Sequence, residues 1–361
     1  MTPSILAVVG ARPNFVKVAP VLHALADRGD VAASVLHTGQ HYDRRLSDSF
    51  LEQLGFPEPA HHLGVGSGTH AEQTAGVLVG VEKVLLAHRY DAVLVPGDVN
   101  STLAAALAAS KLGVTVIHLE AGLRSRDWAM PEEINRVLCD RLSDLLLVHS
   151  EEAIGNLEAE GIDTDRAAFV GNTMIDSLLR LLPLARERGA LDRLGLDERG
   201  YVLVTLHRPA LVDDPARLAA VLEVLSRVAE RLPVVLPLHP RTRARLAEAS
   251  ITPLAGVRLL DPLEYLDFVA LQAGARLVVT DSGGVQEETS ALGVACITYR
   301  ASTERPVTVT HGTNELVGMD PAALADACAR RLGEEPGPAR EIPLWDGRAG
   351  ERAAGAIAAA L

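Results

Sequence analysis

Short runs of β-branched and aliphatic residues alternate with longer amphipathic segments along the whole chain, and the alternation restarts halfway. Ile5–Val9, Val31–His37, Ala92–Val95, Thr115–Leu119 and Leu145–His149 have the length and composition of buried parallel strands. Helical periodicity lies between them, as over Ala71–Ala87 and Ser101–Leu112. A second strand series follows at Tyr201–Leu206, Val234–Pro237, Val257–Leu260, Leu277–Thr280 and Ala295–Tyr299. Strands that alternate with helices form βαβ units, and βαβ units build doubly wound parallel sheets. Two series therefore predict an α/β chain of two Rossmann-like doubly wound domains with a cleft between them, where ligands meet the carboxyl ends of the strands. Length agrees: one core stops growing near ~250–300 residues, and the chain has 361. The predicted domains cover 1–172 and 173–346, with an Ala-rich helix over 347–361 packing back on the first. The charge- and glycine-rich stretch Arg186–Gly200 is the segment most like a connection. Asp214-Pro215, Asp261-Pro262 and Asp320-Pro321 each read as a helix start, Asp capping and Pro supplying the first helical φ.

Charge narrows the function classes. Lys and Arg number 34 against 47 Asp and Glu, a net charge of −13, and no basic block is present. A nucleic-acid or anionic-membrane surface is not expected of such a chain, so phosphate must be bound by a few concentrated groups. Cys139, Cys296 and Cys328 are far apart in apolar stretches, which suits buried thiols in a reducing cytoplasm better than disulfides or zinc. The histidines at 37, 41, 61 and 62 lack metal-ligand spacing. The start, MTPSILAVVGARP, reads as a first strand and not as a signal peptide.

Four groups of residues carry chemistry. In Leu277-Val-Val-Thr-Asp-Ser-Gly-Gly-Val-Gln-Glu-Glu a strand ends, two glycines turn and a helix begins. Ser282, Gly283 and Gly284 should present amide N–H groups at a positive helix end, an anion site, with Glu288 one turn on, able to accept two ribose hydroxyls. Alone, such a turn reads as an ordinary capped helix start; the Glu pair and the later Thr303-Glu304-Arg305-Pro306 turn tip it toward function. Arg12 and Lys17 follow the first strand and can point at a phosphate. Asp98, Glu120 and Glu132 follow strand ends; Glu120, polar after the apolar run Val114–Leu119, is the hardest to explain as a cap. His207 and His239 end neighbouring strands of the second series, each followed by a basic turn, and suggest a phosphate-facing pair.

GARPNFVKVAP, TGQHYD, GDVNSTLA, HLEAGLRS, MPEEINR, GNTMIDSL, TLHRP, LPLHPRT, TDSGGVQEET, TERPVTV and GTNELVG occur in that order, and in this the chain resembles the non-hydrolysing UDP-N-acetylglucosamine 2-epimerases. The resemblance implies a glycosyltransferase-B-like fold, a homodimer, no cofactor, and reversible conversion of UDP-GlcNAc to UDP-ManNAc. It also implies roles: Asp98, Glu120, Glu132 and His207 as the catalytic set, Arg12 and Lys17 at the diphosphate and sugar, and Arg136 on the sugar. Ser282, Gly283, Gly284 and Arg305 would hold phosphates, Glu288 the ribose, and Leu263 and Phe268 the uracil.

The chemistry suits that set. The C2 hydrogen of the sugar is not beside a carbonyl, so UDP must leave C1 first; C2 then becomes acidic. One carboxylate removes the proton to give 2-acetamidoglucal, a second group returns one on the opposite face, and UDP re-adds. The rival readings are a UDP-sugar glycosyltransferase of the same fold, a hydrolysing 2-epimerase, and a non-catalytic nucleotide-sugar sensor, the last disfavoured because the acids are all present. This chain departs from some members of the family at Tyr42 and Asp43, where an allosteric UDP-GlcNAc site forms, and in HRPALV and at Ala301, which bear on sugar specificity.

Overall fold

A computed structural model describes residues 2–39, 51–249, 256–335 and 341–361. Tyr42 and Asp43, and with them the activator question, lie outside the described residues. The chain forms two compact units, Met1–Arg180 with Pro343–Leu361, and Leu181–Ile342.

The first unit holds β1 (Ser4–Val9), β2 (Ala32–His37), β3 (His61–His62), β4 (Ala92–Pro96), β5 (Thr115–Ala121), β6 (Leu145–Val148) and β7 (Ala167–Phe169). They lie side by side in the order β3-β2-β1-β4-β5-β6-β7, all parallel. β4 is buried along its whole length, as a central strand covered on both faces must be. The helix Asn100–Lys111 buries Ala104, Ala105, Ala106, Ala108 and Ala109. These small side chains let it pack closely against the helices His70–Ala87 and Pro131–Leu142.

The second unit holds β8 (Val202–Thr205), β9 (Val234–Pro237), β10 (Val257–Leu260), β11 (Leu277–Thr280), β12 (Cys296–Thr298) and β13 (Asn314–Leu316). Its order is β10-β9-β8-β11-β12-β13, again all parallel. Both sheets are doubly wound, as the alternation predicts. The winding reverses between β1 and β4 in one and between β8 and β11 in the other, and the segments leaving those strands are where such sheets bind ligands.

The structure adds and corrects. β3, β7 and β13 have two or three residues each, too few for a period to show. Asp214 and Asp320 cap their helices, accepting from the N–H of Arg217 (3.1 Å) and of Ala322 (3.0 Å). Asp261 does not: the helix begins at Tyr265 behind Glu264, and Asp261 pairs with Arg243 at 2.6 Å. The apolar period that the core can bury starts only at Leu266 and continues through Val269, Ala270 and Leu271, and that decides where the helix forms. The division between the units falls inside the helix Thr173–Glu187, and Arg186–Gly200 belongs to the second unit.

The closing helix Ala349–Ala360 packs on the helix Arg12–Arg28. A Cβ on Gly350 would stand 2.6 Å from the Pro20 carbonyl oxygen, so only glycine allows that approach. Asp176, 8% exposed, anchors the helix by accepting from the Gly350 N–H at 2.7 Å. Burial pushes its carboxyl up to about 6. A raised carboxyl binds its proton more tightly in the folded chain, so the stability it lends is full below the unfolded value and is lost as pH rises through about 6. At ~1.4 kcal/mol per unit, thermal melts from pH 4.5 to 7.5 should fall by about 2 kcal/mol more in the native chain than in Asp176→Asn; equal slopes would refute this.

Candidate active site

In the first unit three strand ends converge. Asn14 Oδ1 accepts from the N–H groups of Gly10 and Ala11, both at 3.1 Å, and its Nδ2 donates to the Pro96 carbonyl at 3.3 Å. That bracket fixes the turn after β1 to the end of β4. One turn on, Lys17 Nζ forms an ion pair with Glu120 Oε2 from β5, and both residues are buried. Gly97 makes room for the pair: a Cβ there would lie 3.0 Å from Lys17 Nζ and 3.4 Å from Glu120 Oε2. Glu120 itself has φ +74°, at the register shift between Leu119 and Ala121. It is the extra residue of a β-bulge in left-handed backbone, which costs a non-glycine residue about 1–2 kcal/mol and marks a place where the fold re-aims a side chain.

Asp98 is half-buried, and its Oδ2 accepts from Arg136 Nε at 3.0 Å. Arg136 is also paired with Glu133, so it is neutralised from two sides. Glu132 is exposed in the first turn of the helix Pro131–Leu142, whereas its neighbour Glu133 is buried. Glu133 takes the Ser125 N–H at 2.9 Å and the Arg126 N–H at 2.7 Å, and so fixes the loop after β5. Arg12 is exposed at the first position of its helix. Lys17 with Glu120, and Asp98 with Arg136, are thus brought together around the Gly97–Asp98 turn; the side chains of Glu132 and Arg12 are exposed.

In the second unit the turn after β11 leads into the helix Gly283–Leu292. The Ser282 N–H donates to Thr280 Oγ1 at 3.0 Å. This corrects the expectation that all three amides of Ser282–Gly284 face a ligand: the ones at the helix start are those of Gly283 and Gly284. The helix has no acidic residue in its first turn, and the Ser282 side chain does not cap it, which suits an anion. A Cβ on Gly283 would lie 2.6 Å from Arg305 Nη1, so the glycine leaves room for the guanidinium against the turn. Arg305 Nε is held by Glu287 at 2.8 Å. Glu304 accepts both ends of Arg300, at 2.8 and 2.7 Å; burial works against its charge, but Arg300 and Arg305 hold it well below the usual carboxylate range.

His207, at the end of β8, places Nδ1 3.0 Å from Asp281 Oδ1. Asp281 Oδ2 accepts from the backbone N–H groups of His207 (2.9 Å) and Arg208 (2.8 Å). Burial alone would raise the Asp281 carboxyl, yet His207 and these amides hold it low. His239 is exposed, its ring 5.5 Å from that of His207, and burial and His207 lower it. Glu288 is buried and accepts from Tyr265 Oη at 2.8 Å and Gln272 Nε2 at 3.0 Å. Burial pushes its carboxyl up to about 7. Leu263 and Phe268 are half-buried against the core around Val285.

Several of these partners escape a reading of motifs. Asp281 is visible in TDSGG but passes for a helix cap; Glu133 and Arg300 look like ordinary surface charge, and Glu304 is visible in the Thr303–Pro306 turn but not as the partner of Arg300. His118 offered a signal: a histidine inside the apolar run Val-Ile-His-Leu must find partners when buried. Among the described residues no group of three or more His, Cys, Asp or Glu is placed to hold a metal.

The model of the UDP-N-acetylglucosamine 2-epimerase family matches residues 23–358. A UDP-N-acetylglucosamine 2-epimerase of Methanocaldococcus jannaschii is 41% identical, over 96% of this chain and 96% of that protein. A UDP-2,3-diacetamido-2,3-dideoxy-D-glucuronate 2-epimerase of Pseudomonas aeruginosa is 42% identical, over 91% and 92%. The crystal structure of the M. jannaschii enzyme with UDP-GlcNAc and UDP superimposes with a TM-score of 0.89 at 40% identity, over 98% of this chain and 99% of that one. The chain belongs to the UDP-N-acetylglucosamine 2-epimerase family, and its two sheets are of the glycosyltransferase-B-like class.

Proposed function

We propose that the protein interconverts UDP-N-acetylglucosamine and UDP-N-acetylmannosamine by eliminating and re-adding UDP, with no cofactor. The observation that carries this reading is the buried Lys17–Glu120 pair on a bulged strand end, a proton-transfer group that a plain UDP-sugar transferase does not need. The Gly283–Gly284 turn with Arg305 would stabilise the diphosphate as it leaves C1. With C1 oxocarbenium-like, one deprotonated group of the set Asp98, Glu120, Glu132 and His207 takes the C2 proton as base, leaving 2-acetamidoglucal. Another gives a proton to the opposite face, and UDP re-adds at C1. Lys17, Arg12 and Arg136 would orient the diphosphate and sugar, and His239 would face the phosphates. Leu263 and Phe268 would flank the uracil. We assign the protein to the cytoplasm as a homodimer. Exposed Val79, Leu86, Ile134 and Leu138 on helices of the first unit support pairing, and no described helix is long and apolar enough to cross a membrane.

Incubation with UDP-GlcNAc, followed by NMR of the products, tests this. UDP-ManNAc at equilibrium with substrate is expected; free ManNAc with UDP would mean a hydrolysing enzyme, and no change would refute both.

Glu288 supplies a pH test. Ribose hydroxyls donate to a carboxylate, so the ionised form is the one that binds them. With the carboxyl near about 7, UDP-GlcNAc should bind roughly tenfold more weakly at pH 6 than at pH 8. Glu288→Gln should bind weakly at both; a native affinity that does not change with pH would contradict the assignment.

A further inference from the structure

His118 is fully buried in β5, and both of its ring nitrogens meet oxygen: Nδ1 is 2.6 Å from Asp140 Oδ1, and Nε2 is 2.8 Å from the Gly97 carbonyl. A carbonyl has no proton to give, so Nε2 carries one. Asp140 Oδ2 accepts from Arg124 Nη1 at 2.7 Å and from the Gly122 N–H at 3.1 Å. Those two donors, one of them a guanidinium, favour the carboxylate over the acid, so the proton between the two groups belongs to Nδ1. Charge balances locally, because Arg124 is shared with Glu160 at 2.7 and 2.8 Å. The groups facing the ring are Asp140 and Cys139 from the helix Pro131–Leu142, with Arg124 behind Asp140. Burial opposes the charge, but Cys139 and Asp140 hold His118 well above its ordinary value.

The pair straddles Glu120. Asp140 grips the chain two residues before it, through the His118 ring, and two residues after, through the Gly122 N–H. Between those grips lies the left-handed, bulged residue. The carbonyl that His118 holds belongs to Gly97, the residue whose missing side chain accommodates Lys17 and Glu120.

We propose that His118 and Asp140 are a permanently ionised positioning pair, which holds Glu120 in its strained turn and Gly97 beneath it, and so sets proton transfer at C2 without touching substrate. This rests on Glu120 acting at C2 as proposed above.

The test uses the full chain labelled with 15N-histidine. One ring should keep both N–H signals from pH 6 to 9, and that pair should vanish in His118→Gln. The same variant should lower kcat for C2 exchange roughly 100-fold, with KM and UDP affinity within about threefold of native. Asp140→Glu, which keeps the charge, should recover part of kcat. No ring doubly protonated at pH 8.5, or a His118→Gln enzyme with near-native kcat, would overturn the proposal. Should His118→Gln not fold, the native NMR signal and the Asp140→Glu kcat decide alone. A native enzyme that exchanges no C2 hydrogen would instead sink the reading of the site.

Discussion

Replacing Glu120 by Gln should stop exchange of the C2 hydrogen with solvent while UDP-GlcNAc still binds. A positioned acid–base group contributes ~10²–10⁴-fold, and Glu120 holds a constrained place, buried, bulged and paired with Lys17. Gln keeps the shape and can still accept from the Lys17 ammonium, so folding should survive. The proton acceptor is lost, and kcat should fall at least ~10³-fold with KM little changed. Lys17→Met should behave differently. It leaves Glu120 buried beside Gly97 without its cation, a placement that destabilises by several kcal/mol. Its melting temperature should therefore drop further than that of Glu120→Gln, whose amide oxygen can still accept from the buried ammonium. Near-native exchange by Glu120→Gln would move the proton chemistry to another acid.

The second large effect is expected at Asp281. Its Oδ2 binds two backbone N–H groups and its Oδ1 faces His207 Nδ1. In Asp281→Asn the amide oxygen must stay on those two N–H groups, which turns the NH2 toward the imidazole. Nδ1 must then accept, the ring proton moves to Nε2, and His207 presents the wrong tautomer outward. The same change in a Ser-His-Asp triad lowers kcat ~10⁴-fold. With His207 sharing proton transfer with carboxylates, as proposed, roughly 10²-fold is expected, with the loss in kcat and not in UDP affinity. A variant that loses UDP binding equally would make Asp281 a support of the diphosphate turn instead.

The sequence made the sheets legible because their strands are buried on both faces, and such strands read as plain apolar runs. Ile5–Val9 and Leu277–Thr280 needed no context. The two- and three-residue edge strands β3, β7 and β13 were invisible: His61–His62 is a pair of polar residues whose pairing with β2 depends on the neighbour. The site was legible as positions but not as partners. Glu120 stood out because a charge ended a hydrophobic run, yet nothing local revealed that Lys17, 103 residues away, would meet it. Asp281 looked like a cap because its spacing fits one; only the pairing of β8 with β11 brings His207 to it. Asp261-Pro262 misled for the opposite reason, a correct local signal overruled by where the core needs its helix.

In the proposed reaction C2 loses and regains a proton while UDP is held. Incubating the native enzyme with UDP-GlcNAc in D2O and following C2 by proton NMR tests it most directly. Deuterium should appear at C2 of both UDP-ManNAc and recovered UDP-GlcNAc, with no free sugar accumulating. UDP-ManNAc that forms with its original C2 hydrogen intact would contradict the account.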